Sequence, residues 1–260
     1  MDFLKETFKI ITDYYPQLLS GIGYTMLISL IGTVAGLLIG LIIGVVRTAP
    51  LSHNRVLAVL HRILNGVLAT YIEIFRSTPM MVQAMVIFWG FAFLNDGNTL
   101  PLIPAGIFIV SINTGAYMAE IVRGGIISVD KGQTEGAYSV GMTHAQAMLH
   151  VILPQALRNI LPSVSNEFVI NIKDTSVLNV IGVMELYYMA GVIYRKNYQI
   201  FQTYLVICVL YFLLTFVITR LLRLLEKKLD GKNNYTICGS QSNPEAEIHV
   251  HGEEKQPWEN

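Results

Sequence analysis

Four mostly apolar stretches of the 260-residue chain carry no charged side chain: residues 14–46, 77–95, 97–119 and 197–219. One helical crossing of a bilayer takes roughly 20 mostly apolar residues, so each run supplies a crossing or part of a longer one. Five spans fit the pattern best, over residues 17–46, 60–93, 102–127, 162–183 and 199–225. The second is long and interrupted by Ser77-Thr78-Pro79, where proline removes a backbone donor and kinks a helix. The fourth is weak, because Glu167, Lys173 and Asp174 break its apolar run. An all-α membrane protein follows, with residues 1–16 ahead of the transmembrane region 17–228 and a tail over 229–260.

Charge supports the count of five. Lys and Arg accumulate on the cytoplasmic side of membrane proteins. With the N-terminus outside, Arg47, Arg55, Arg62, Lys131, Arg158, Arg220, Arg223, Lys227, Lys228 and Lys232 fall inside, and Lys5, Lys9, Arg195 and Lys196 fall outside. Ten against four is a clear asymmetry. Composition agrees: 53% of residues are hydrophobic and 14% charged, against about a quarter charged in soluble domains. The apolar run after Asp13 exceeds the ~7–15 residues of a signal-peptide core and is expected to stay as an anchor. Cys208 and Cys238 show no metal-ligand spacing and read as packing residues. After Asn233 the sequence turns polar and is expected to be disordered; His249 and His251 within it do not make a metal site.

The first span carries Gly32, Gly36, Gly40 and Gly44. Glycine at every fourth position lets another backbone approach closely, either within the chain or across a dimer face.

Between the third and fourth spans the pattern changes character. EGAYSVGMTHAQAMLHVILP, residues 135–154, reads as two short polar helices on the cytoplasmic side. Glu135–Val140 makes the first, and Gly141 stops it in a left-handed cap. Thr143 caps the second, with Gln146 completing a capping box, and Leu153-Pro154 is expected to end it. Ala145, Met148, Leu149 and Ile152 give the pair an apolar side. A helix lying on lipid headgroups would share that pattern.

The residues go further than the pattern. The stretch resembles the EAA motif, EAA-x3-G-x9-I-x-L-P, of binding-protein-dependent ABC importer permeases. Glu135, Ala137, Gly141, Leu153 and Pro154 match in register, Gly136 stands for the first alanine and Val151 for the isoleucine. Glycine in place of alanine loosens the first helix by up to about 1 kcal/mol. YIEIFRSTPMMVQ (71–83), GAYMAEIVRGGIISVDKGQTEGAYSVGM (115–142), VILPQALRNILPSV (151–164) and NIKDTSVLNVIG (171–182) resemble the polar-amino-acid subfamily. The resemblance implies the five-helix type I permease core, with a coupling loop at about 130–160. It implies a second permease copy or paralogue, a dimer of cytoplasmic ATP-binding cassette ATPases, and an extracytoplasmic amino-acid-binding protein. No phosphate-binding G-x4-G-K-[ST] occurs in the chain, so the ATPase is a separate polypeptide. The chain is expected to be a transporter subunit and not an enzyme, with no cofactor and no metal, surrounded by lipid and binding no nucleic acid.

Ionisable residues at membrane depth are costly and mark functional sites. Glu73 and Arg76 share a helix face just before the Ser-Thr-Pro break and can pair locally. Ser163, Glu167, Asn171 and Asp174 recur at steps of four, four and three, one polar face on an apolar span. A broken helix beside it would offer free backbone groups at midplane depth, and an amino-acid zwitterion needs both a carboxylate and donors. Glu73, Arg76, Thr78, Asn171, Lys173, Asp174, Thr175 and Ser176 are the candidate translocation residues. The alternative is a structural network joining the second and fourth spans. Asn113, Tyr117 and Glu120 form a similar stripe on the third span, with Glu120 read as structural. Competing functions are an ion-coupled carrier, which lacks the expected pair of repeats, and a permease for an osmolyte, which calls for an aromatic cage. No constellation for a membrane-embedded enzyme occurs.

Overall fold

The computed structural model describes residues 2–51 and 54–229, and every regular element among them is helical. Helix α1 (Asp2–Asp13) leads through Tyr14 into α2 (Tyr15–Thr48), which has proline in its first turn. Asn54 caps α3 (Arg55–Ser77) by accepting from the Val56 N–H at 3.0 Å. Where one kinked span was expected over 60–93, the chain breaks outright. Thr78 and Pro79 are both extended, and a separate helix α4 (Met80–Leu94) follows. The residue before a proline is disfavoured in the helical region, and here Thr78 leaves the helix completely. At about 1.5 Å per residue, α4 reaches about 22 Å, less than the ~30 Å of a bilayer core.

Helix α5 (Leu102–Ile127) forms the centre of the fold, buried on most of its faces. Its partner is α2, and the four-residue glycine repeat is what joins them. A Cβ on Gly32, Gly36, Gly40 or Gly44 would lie 2.5, 2.8, 2.4 or 2.6 Å from Val110, Thr114, Met118 or Val122. The repeat is therefore an intrachain seam.

The loop after α5 holds α6 (Lys131–Ser139) and α7 (His144–Ala147), then a π-helical turn (Met148–Ile152) that runs straight into α8 (Leu153–Asp174). A 3-10 segment (Thr175–Ile181) ends at Gly182, at φ 89°. Helix α9 (Leu186–Asn197) meets the preceding helical stretch at 55°, and α10 (Ile200–Leu229) closes the described chain. Four helices (α2, α3, α5 and α10) are long and apolar enough to cross a membrane, and the bent α8–α9 pair makes a fifth. The chain divides into two compact units, Met1–Thr219 and Arg220–Asn260. The described part of the second is the helical stretch 220–229. The polar tail, with Cys238, His249 and His251, lies outside the described residues.

Candidate translocation and coupling sites

The polar pair is built as the sequence suggests at its turn and differently at both ends. Its first helix starts earlier than Glu135, at Lys131, because Asp130 accepts from the Gly132 N–H at 2.7 Å. Gly141 sits at φ 82° and turns the chain. The capping box is complete: Gln146 Oε1 accepts from the Thr143 N–H at 2.8 Å, and Thr143 Oγ1 accepts from the Gln146 N–H. A further link clasps the pair across the glycine, the Tyr138 hydroxyl lying 3.0 Å from His144 Nδ1.

Leu153-Pro154 does not end the second helix. Proline has no N–H, and its ring crowds the carbonyl four residues back. Widening the preceding turn relieves that crowding: Leu153 N–H bonds to Met148 O, five residues back. Gln155 Nε2 donates to Val151 O at 2.8 Å, filling a carbonyl beside the irregular turn. The helix then continues into the fourth span. Of the apolar side expected for the pair, Met148 and Ile152 are buried with Val122, Ile126, Val129, Ala156 and Ile160, and Leu149 stands 60% exposed beside Val140 at 75%. Ala137 is buried, while Glu135, Gly136, Gly141 and Pro154 face outward and Leu153 and Val151 are half-buried. The knob thus has a fixed root on α5 and an uncovered apolar tip.

At the Thr78-Pro79 break the backbone is not left open for a ligand. Gln83 Nε2 donates to Phe75 O at 2.9 Å, Thr78 O at 2.9 Å and Thr78 Oγ1 at 2.8 Å. Asn113 Nδ2 of α5 donates to Gln83 Oε1 at 2.8 Å. Buried amides have replaced water on the carbonyls freed by the break. Gln83 is buried and was missed in the sequence because glutamine in an apolar helix gives no periodic signal.

The polar stripe on α8 divides in two. Asn171 is buried and bonded at both ends of its amide: its Nδ2 donates to Thr33 Oγ1 at 2.8 Å and its Oδ1 accepts from Thr114 Oγ1 at 3.1 Å. One amide therefore pins α8 to α2 and α5 in the bundle interior. Thr175 is also buried, its hydroxyl on Ile172 O at 3.0 Å. Asp174 and Ser176 are half-buried and Lys173 is exposed. Glu167, on the same helix, is buried, 5% exposed.

Arg47, Ala69, Ile72, Glu73, Arg76, Ser77, Tyr117 and Glu120 line a cavity of about 490 Å3 beside α3 and α5. Glu73 and Arg76 share it, but the ion pairs among the described residues are those of Glu120 with Arg47 and, at 3.0 Å, with Arg123. Arg76 lies over the Tyr117 ring instead, 5.5 Å from its centroid. Asp174 is not in the lining. A second carboxylate escaped the sequence reading. Glu185 is completely buried and accepts from the Tyr187 N–H, the Tyr188 N–H and the Tyr211 hydroxyl at 2.8, 2.7 and 2.7 Å. Its signal was that of a helix cap, an acid just ahead of a helix. It closes α9 onto α10, while Thr25 of α2 accepts from the Leu186 N–H at 3.2 Å.

Comparison with known proteins agrees with this architecture. The chain is 35% identical over 214 residues to the glutamine transport system permease protein GlnP of Escherichia coli (strain K12), covering 82% of this chain and 93% of that protein. It is 35% identical over 219 residues to the L-cystine transport system permease protein TcyB of Bacillus subtilis (strain 168), covering 84% and 88%. Its fold matches a crystal structure of an amino acid ABC transporter with histidines at a TM-score of 0.73 and 36% identity, covering 88% of this chain and 99% of that one. An inward-facing structure of the MetNI methionine ABC transporter, 19% identical, shares the fold at a TM-score of 0.63. Residues 55–231 match the family model for the binding-protein-dependent transport system inner membrane component, and the chain belongs to that family of ABC importer permeases.

Proposed function

We propose that this chain is the translocation subunit of an ATP-driven importer for a polar amino acid. It works beside a second permease copy or paralogue, driven by a separate dimer of ATP-binding cassette ATPases and supplied by an extracytoplasmic binding protein. The observation that carries the reading is the knob of α6, α7 and the π turn, whose apolar tip is uncovered while its root is buried on α5. Relatives that transport glutamine and L-cystine support a polar amino acid as the cargo. The ten-to-four excess of basic residues supports a cytoplasmic knob, with the N-terminus outside.

The geometry suggests how force travels. Helices α2, α5 and α8 are joined by the glycine seam, by Asn171 and by the seating of Ile160 on Gly125, where an added Cβ would lie 2.2 Å away. They move as one body. Helix α3 buries only Ile72 among its 23 residues, so it is the more loosely held wall of the cavity. ATPase closure pulls on Glu135, Gly136, Ala137, Gly141 and the 151–154 turn. The α2–α5–α8 body then shifts against α3, turning the cavity outward to receive substrate, and hydrolysis resets it. Glu73 and Asp174 accept from the substrate ammonium. Arg76 and Lys173 offer charge to its carboxylate, and Thr78 and Ser176 line the path. Asn171 and Thr175 hold the wall in place.

A charge-assisted hydrogen bond is worth about 1.5–3 kcal/mol. Glu73→Gln and Asp174→Asn are therefore expected to lower uptake by about one to two orders of magnitude, with complex assembly and basal ATPase activity retained. Normal uptake by both variants would overturn the site assignment, and loss of assembly would assign the carboxylates to a structural network.

A further inference from the structure

Helix α1 takes no part in the scheme above, and its chemistry is sorted sharply around its axis. At 100° per residue, Phe3, Leu4, Thr7, Phe8, Ile10 and Ile11 fill an arc of about 160°, with Lys5, Glu6, Lys9 and Asp13 opposite. The protein uses only one edge of the apolar arc. Ile10 is buried with Leu18 of α2, Leu186 of α9 and Val206 of α10, and the Phe3 ring lies 5.8 Å from that of Phe201. The other edge (Leu4, Phe8 and Ile11) is uncovered, Leu4 at 71% and Phe8 at 70%.

What covers that edge follows from where α1 lies. Phe3 packs on Phe201 in the first turn of α10, and Ile10 packs with Leu18 near the start of α2, so α1 lies against the ends of both helices where the chain enters the bundle. Tyr14, at φ −119° and ψ 18°, separates it from α2, whose residues 15–46 carry no charge. Tyr14 and Tyr15 stand where that crossing begins, and tyrosines at the end of a span sit at headgroup level. The exposed edge is therefore at the depth of the acyl–headgroup boundary, beside Leu19, itself exposed on the outside of α2. A helix with a wide apolar arc, aromatic anchors and lysines on its polar face lies in that plane.

We propose that α1 is an interfacial helix that seats Leu4, Phe8 and Ile11 in the bilayer boundary, with Lys5 and Lys9 at the phosphates. It ties the ends of α2 and α10 to one leaflet. That this leaflet is the extracytoplasmic one rests on the orientation proposed above; the lipid contact does not.

The full-length chain, with Cys208→Ser and Cys238→Ser, is given a single cysteine at Leu4, Phe8, Lys5 or Lys9 and labelled with an environment-sensitive fluorophore. It is reconstituted in phosphatidylethanolamine–phosphatidylglycerol vesicles. Probes at Leu4 and Phe8 should be blue-shifted and quenched about twofold or more by lipid brominated just below the headgroup, at a depth of about 5–10 Å. Lipid brominated at the chain ends should act weakly. Probes at Lys5 and Lys9 should be quenched by aqueous iodide. Equal iodide quenching at all four positions would overturn the proposal by placing the helix in water. Shielding of Leu4 and Phe8 from both quenchers would overturn it in favour of a protein partner. Iodide confined to one side of the vesicle reports the leaflet. The opposite side would overturn the orientation and leave the lipid contact standing.

Discussion

At the scale of single residues, the fold rests on small groups whose roles come from what touches them. A Cβ on Gly40 would lie 2.4 Å from Met118 Cβ and 2.7 Å from its carbonyl carbon, whereas one on Gly23 would meet nothing within 4 Å. Overpacking of this kind costs about 1–3 kcal/mol, while Gly→Ala in an open helical position gains up to about 1 kcal/mol. Gly40→Ala should therefore lower the melting temperature of the detergent-purified protein and Gly23→Ala should not; equal effects would contradict the seam. Gln83→Leu should destabilise by about 1–3 kcal/mol for each group it leaves unpaired. The Thr78 carbonyl depends on that side chain, and the Phe75 carbonyl and the Asn113 amide would keep only their long mutual bond of 3.5 Å; an unchanged melting temperature would count against the sealed break. The four-residue glycine spacing was legible in the sequence, but its partner was not, because spacing names a close approach without saying to what. Asn171 was legible as polar and inward. That Thr33 and Thr114 bond both ends of its amide depended on residues 138 and 57 positions away, beyond the reach of local pattern.

At the scale of elements, the sequence resolved the turn of the coupling pair and misjudged its ends. Gly141 and the Thr143–Gln146 box are local chemistry, and local chemistry decided them. Pro154 obeys a local rule too, but burial of Met148, Ile152, Ala156 and Ile160 against α5 holds the helix together through the proline, at the cost of one widened turn. The spans of α2, α5 and α10 were readable because a bilayer imposes length and composition directly, whereas the fourth, interrupted by Glu167, Lys173 and Asp174, is a bent pair. The outright break at Thr78-Pro79 was hidden by α4, too short to register as a separate crossing. A test of the π turn follows from helix geometry. Deleting Val151 removes one residue between knob and α8 and turns the knob by about 100°. Membrane insertion should persist while ATP-driven uptake falls to background and ATPase association weakens. Retained uptake would mean that the knob's rotational setting carries no force.

At the scale of the whole molecule, the proposed mechanism makes the chain a lever with one stiff arm and one soft wall. The α2–α5–α8 body is stiff through its glycine seam and buried amide, and α3, with Glu73 and Arg76, is loosely packed beside it. In that proposal the knob is the handle, moved by a separate ATPase. The measurement that tests this most directly is uptake of radiolabelled glutamine and cystine into proteoliposomes. The chain is reconstituted with and without its ATPase and binding protein, with ATP or an imposed sodium or proton gradient as the energy source. Uptake should require the ATPase, the binding protein and ATP together, and Gly141→Val should abolish it while the protein still inserts. Full uptake by this chain alone, driven by an ion gradient, would contradict the account.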